Sequence, residues 1–266
     1  MEIIHRVGFS RLSLVAELPE LDELEVKEVG HLGVFDIAES DEKWPAVQVW
    51  IAKVRASNVV TTKFTESEIT SARWVALRSD WLWSYPQPED VIGYLKRTYD
   101  LKDYCDICGV GAVQNDGFRI TGEPKWGKKG ILQLNWVFSE LFVKPEVWSA
   151  IFKPNGIGFR PVFDVKGRQM KTVVQLEVDS VAELNSADSK CETCAKCGMV
   201  KYSPTIRGFM PPFKREPAAA VVKTEQIFGS GRQAFRRIVI SQSLARELLE
   251  SEVRGASLIP LAAHIG

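Results

Sequence analysis

An α+β fold, mostly antiparallel sheet with short helices, is predicted by three observations. Strand candidates predominate along the chain, short helices open at Pro88-Glu89-Asp90, Lys144-Pro145 and Ser241 between some of them, and turn residues as at Lys166-Gly167 separate neighbouring strands. A chain of 266 residues with 45% hydrophobic and 26% charged residues can bury a substantial core without covalent staples.

Residues 1–86 read as a β-rich N-terminal region, because Val47–Val54 and Trp81–Tyr85 alternate as half-buried strands do. Residues 87–266 read as a second region packed continuously with the first. Pro88-Glu89-Asp90 opens a short helix carrying Val91, Ile92, Leu95 and Tyr99 on one face, with acids at its positive end. A reversal at GVGAVQNDG leads to Phe118–Ile120, and Ile131–Phe138 is a buried-strand candidate. Lys144-Pro145 starts a helix through Trp148 and Ile151 that stops at Asn155-Gly156. Gly158–Phe163 and Thr172–Val178 flank a hairpin turn at Lys166-Gly167. Ala218–Val222, Arg236–Ile240 and Ser257–Leu261 are further strands, Gly229–Gly231 is a plain turn, and Ser241 caps a helix bearing Leu244, Leu248 and Leu249.

Five cysteines are present, four of them in Cys105-Asp-Ile-Cys108-Gly109 and Cys194-Ala-Lys-Cys197-Gly198. Two residues between cysteines bring both sulfurs to one side of a turn, and the glycine that follows permits the positive φ that lets amides point at them. Two such knuckles supply the four thiolates of a closed tetrahedral site, so Cys105, Cys108, Cys194 and Cys197 are expected to share one structural Zn²⁺ in a zinc-knuckle or zinc-ribbon-like arrangement. Another metal or an iron–sulfur cluster, and reduced cysteines without metal, are the alternatives. Closing the loop of about 85 residues between the pairs costs on the order of 4 kcal/mol beyond a constant. That is less than the roughly 10–16 kcal/mol a structural zinc provides in small domains. Cys191 makes a second, overlapping CxxC with Cys194, but Gly198 marks Cys194 with Cys197 as the knuckle and Cys191 as dispensable.

No catalytic set is recognisable. His5, His31 and His264 are isolated and read as structural or surface residues. Nucleophile elbow, Walker, zincin and dinucleotide motifs are lacking, so no catalytic or cofactor-binding residue is assigned. Trp81, Trp83 and Tyr85 read as core or sheet surface before a base-stacking platform, and Lys125, Lys128 and Lys129 as a solvated turn. Lys plus Arg equals Asp plus Glu at 34 each, which disfavours a nucleic-acid-associated zinc-ribbon protein. Neither a signal-peptide core nor a run of eighteen apolar residues occurs, and CxxC pairs suit reduced thiols, so the expected location is cytoplasmic, with no membrane partner.

With the two distant CxxCG motifs stand Gly156-Ile-Gly158-Phe159-Arg-Pro161-Val162, Lys223-Thr224-Glu225-Gln-Ile-Phe228 and Gly255-Ala-Ser-Leu-Ile-Pro260. Over roughly residues 100–261 this pattern resembles the double-CXXCG motif paralogous family known from myxobacteria, some of whose members are described as immunity proteins. The resemblance implies metal ligation by Cys105, Cys108, Cys194 and Cys197, and a non-enzymatic bacterial protein that binds and neutralises a cognate toxin. It assigns no partner-binding residue. An enzyme or enzyme subunit with a structural zinc is the alternative.

Overall fold

The computed structural model describes residues 1–10 and 24–263. His264 lies outside them. The mixed α+β fold, mostly antiparallel sheet with a few short helices, is as the sequence predicts. Two compact units divide the chain. The first comprises Met1–Glu68 with Thr205–Phe209, the second Ile69–Pro204 with Met210–Gly266. The region boundary read at residues 86/87 falls inside the second unit.

In the first unit, Glu2–Ser10 lies between Leu32–Ala38 and Ser57–Lys63 in an antiparallel sheet, with Lys27–Val29 on the edge beyond Leu32–Ala38. One face carries Val7, Phe9, Phe35 and Ile37, and it is covered by Trp44, Val47 and Trp50. Those three residues belong to a helix, Trp44–Val54, where the sequence reading placed a strand over Val47–Val54. Spacings of three between Trp44, Val47 and Trp50 suit a helical stripe, and Pro45 in the first turn favours that start. His5 is a core histidine: its ring stacks on Trp44 at 3.8 Å and hydrogen-bonds Asn58 and Glu39 at 2.9 and 2.8 Å. His31 is exposed.

The second unit contains two five-stranded sheets. In one the order is Val181–Ala182, Val221–Thr224, Ile238–Ser241, Trp74–Ser79, Ala256–Pro260. In the other it is Arg119–Ile120, Gly158–Asp164, Gln169–Glu177, Phe142–Val143, Ile131–Leu132. One pair in each sheet is parallel and the rest are antiparallel. Val75, Leu77, Ile238 and Ile240 of the first sheet meet Ile131, Val143, Val174 and Leu176 of the second in a common core. Each such aliphatic side chain stabilises by roughly 1.5–3 kcal/mol when fully buried. The opposite faces are buried too, by clusters around Trp74, Ala76 and Val239 in one sheet and Phe118, Phe142 and Val173 in the other.

Local signals explain the short elements. The Asp90 carboxylate accepts the Gly93 amide and caps the helix Val91–Thr98, whose buried face is Tyr94, Leu95 and Thr98, while Val91 and Ile92 are exposed. Ser241 caps Gln242–Glu250 and buries Leu244 and Leu248. A helical turn at Pro145–Val147 runs into a π-helical turn at Trp148–Phe152, and the chain then turns at Gly156 with φ 77°. Trp81–Tyr85 is irregular, not a strand, with one bridge from Leu82 to Gln133, and its aromatics pack on Trp126 and Trp136. Ile131–Phe138 is a strand only over Ile131–Leu132. Among the described residues no helix is long and apolar enough to cross a membrane.

Candidate metal centre and the adjoining cavity

Two short ribbons bring the cysteines together. Tyr99–Asp100 pairs with Val113–Gln114, and the first knuckle lies in the loop that joins them. Cys191–Thr193 pairs with Val200–Tyr202, and the second knuckle is its turn. The two turns use the same hydrogen bonds. Cys105 N donates to Val110 O and Gly109 N to Cys105 O, at 2.8 and 2.7 Å; Cys194 N donates to Met199 O and Gly198 N to Cys194 O, both at 2.9 Å. Gly109 and Gly198 have φ of 78° and 74°, the left-handed conformation expected after each second cysteine.

All four Sγ atoms lie within 4.8 Å of one another. Cys105 and Cys194 approach to 3.8 Å, Cys108 and Cys197 to 3.5 Å. A tetrahedron with metal–sulfur bonds of about 2.3 Å has edges of about 3.8 Å, so the donor set fits one ion held by four thiolates. A cluster of several irons would spread its ligands further apart. Cys191, across the ribbon from Tyr202, is outside this group.

The electrostatics favour sulfur anions at the first position of each knuckle. The amides of Cys197 and Lys196 pull the Cys194 thiol down to about 6, and those of Cys108 and Ile107 lower Cys105. Burial pushes Cys108 up, an effect a bound cation would reverse. Cys105 and Cys108 are 5% and 3% exposed, whereas Cys197 is open to solvent.

Lys201 carries no sequence signal and is the main support of the centre. It is 5% exposed, and its ammonium donates to the carbonyls of Cys108 (3.0 Å), Gly231 (2.5 Å) and Gln233 (3.1 Å). The turn around Gly229–Gly231 is thereby tied to the first knuckle. Arg232 O lies so close that a Cβ on Gly109 would stand 1.9 Å from it, while nothing lies within 4 Å of one on Gly198. Gly109→Ala is therefore expected to cost about 3 kcal/mol and Gly198→Ala about 1 kcal/mol, measured by urea unfolding. Equal costs would show that the approach of residues 229–233 does not constrain the knuckle.

Beyond Gly109–Gln114 the first knuckle borders a cavity of about 700 Å³ walled by Tyr94, Tyr99, Trp136 and Phe235. Polar groups from distant segments meet in it. Glu140, 6% exposed, accepts from Lys223 at 2.7 Å and from Gln175 at 3.1 Å. The Gln175 and Gln114 amides pair reciprocally at 2.7 and 2.8 Å, and Arg160 donates to Glu177 at 2.9 Å. Burial, with Glu140 nearby, holds the Tyr99 hydroxyl well above its ordinary range. Arg160 and Lys223 lie within motifs read from the sequence, but no spacing rule links them to Glu140, Gln114 or Gln175. This lining can bind a small polar molecule, and it offers a buried carboxylate and a neutral phenol. No family model, curated protein or solved structure matches the chain.

Proposed function

We propose that this is a non-enzymatic zinc protein of the reducing cytoplasm, in which one Zn²⁺ joins two ribbons in a zinc-ribbon-like centre, and that it binds and neutralises a cognate bacterial toxin. The grouping of four Sγ atoms within 4.8 Å carries the structural part of this reading. Four thiolates around one ion leave no position for an activated water, so the metal braces the fold and performs no chemistry. The double-CXXCG pattern supplies the immunity reading, since members of the family it resembles include immunity proteins. Elemental analysis of protein purified without added metal is expected to give one zinc per chain and a colourless solution. Iron would instead colour the protein through thiolate charge-transfer bands.

The toxin reading is tested by producing the chain together with the product of an adjacent toxin gene. Restored growth and a stoichiometric complex of the two polypeptides are expected. An unbound toxin and unrelieved growth arrest would dismiss it. The cavity beside the first knuckle favours a second reading, a ligand-binding or enzymatic role with the same structural zinc. That reading requires Glu140→Gln to abolish an activity while leaving both the zinc and the toxin complex in place.

A further inference from the structure

Trp74–Ser79 is an inner strand, paired with Ile238–Ser241 on one side and Ala256–Pro260 on the other. Ile238 is the partner of Leu77, so one step along the antiparallel register sets Arg237 opposite Arg78. Alternation gives both the sheet face that carries Ala76 and Val239. Arg78 pairs with Ser257 across the other strand, and the Arg237 amide donates to Thr224 Oγ1 at 3.0 Å. The backbone thus places Arg78 and Arg237 opposite each other at the end of an apolar face.

Like charges directly opposite each other in a sheet are destabilising, and an acid on the same face is the usual remedy. Here there is none. Among the described residues neither arginine enters an ion pair, and no carboxylate is close enough to offset either charge. The Arg78 Nε is covered and without an acceptor. The Arg237 guanidinium lies over the Phe235 ring, 4.5 Å from its centroid, a contact that leaves its N–H groups able to donate. Burial and the neighbouring Arg78 pull Arg237 down to about 9, the mark of a cation whose surroundings do not compensate it. Both side chains are only partly covered, so the pair can be reached from solvent.

We propose that Arg78 and Arg237 form a binding site for an oxyanion, the carboxylate or phosphate group of a ligand. Each guanidinium fork can donate two N–H groups to the oxygens of one carboxylate or phosphate, a bidentate pairing that both anions accept. An anion there removes the cross-strand repulsion and supplies the acceptors the protein lacks.

The test titrates inorganic phosphate, and separately acetate, against the full chain at constant ionic strength set with chloride. At least one oxyanion is expected to raise the melting temperature by about 2 °C or more above the chloride control, and phosphate binding is read independently from its ³¹P line width. A larger effect of phosphate identifies a phosphorylated ligand, and a larger effect of acetate a carboxylate. Arg78→Gln and Arg237→Gln are each expected to weaken binding at least tenfold. Should either fail to fold, Arg237→Lys keeps the charge, loses the fork and still weakens binding severalfold. The proposal is overturned if neither anion differs from chloride, or if binding is unchanged in the arginine variants.

Discussion

Replacing Cys194 by serine is expected to remove the metal and to lower the melting temperature by roughly 10 °C, which corresponds to about 3 kcal/mol or more for a domain of this size. The cause lies in what the ribbons lack. Cys191–Thr193 is exposed throughout, and in Val200–Tyr202 the one buried residue, Lys201, is charged. A two-stranded ribbon without an apolar face is marginal by itself in water. A metal shared by Cys105, Cys108, Cys194 and Cys197 would add to the Lys201 and Lys196 contacts that join the second ribbon to the first knuckle, and losing one of four thiolates would open the site. Cys105→Ser and treatment with a strong chelator should have the same effect, with faster amide hydrogen exchange confined to residues 99–114 and 189–203. Cys191→Ser should keep the zinc and remain within about 0.5 kcal/mol of the parent, because that side chain is exposed and outside the cluster. Retention of metal by Cys194→Ser, or its loss from Cys191→Ser, would reverse the assignment.

That contrast was legible in the residues because a knuckle is a local object. The two-residue spacing and the following glycine are set by turn geometry within six residues, as the matching hydrogen bonds at Cys105–Val110 and Cys194–Met199 illustrate. The hairpin at Lys166-Gly167 and the cap at Ser241 are readable for the same reason, and at Pro88-Glu89-Asp90 the helix start is readable although its cap, Asp90, is not. Neither is Trp74–Ser79. With Trp74 and Ala76 buried on one face and Val75 and Leu77 on the other, it shows no alternation, so no sequence pattern marks the strand that carries Arg78 and borders Arg237. Val47–Val54 erred the other way: the alternation of Val47, Val49 and Ile51 suggested a strand, while Trp44, Val47 and Trp50 cover the sheet from a helix. The cavity groups at 114, 140, 160, 175 and 223 meet only through tertiary pairing, which no single-sequence pattern encodes.

Lys201→Met is expected to cost about 3 kcal/mol and to weaken zinc binding 10- to 100-fold, although Lys201 touches neither metal nor sulfur. Methionine fills a similar volume with no donor, so the carbonyls of Cys108, Gly231 and Gln233 all lose the ammonium that satisfies them. An unsatisfied buried carbonyl costs about 1–3 kcal/mol, and relief from burying the charge returns part of the sum. The coupling to the cysteine cluster runs through Cys108, whose carbonyl is anchored by Lys201 and whose sulfur belongs to that cluster. Once released, the first knuckle no longer presents its two sulfurs in fixed positions, and binding must reorder it. Lys196 provides the control. It pairs with Asp106 across the two knuckles at 2.6 Å, nearer to the cysteines in sequence, but both side chains are more than half exposed, so Lys196→Ala should change stability by less than about 1 kcal/mol. Competition with a chromophoric chelator measures the zinc affinity of both variants, and urea unfolding measures their stability. If Lys196→Ala proves the more damaging, the exposed charge pair, and not the buried ammonium, organises the centre.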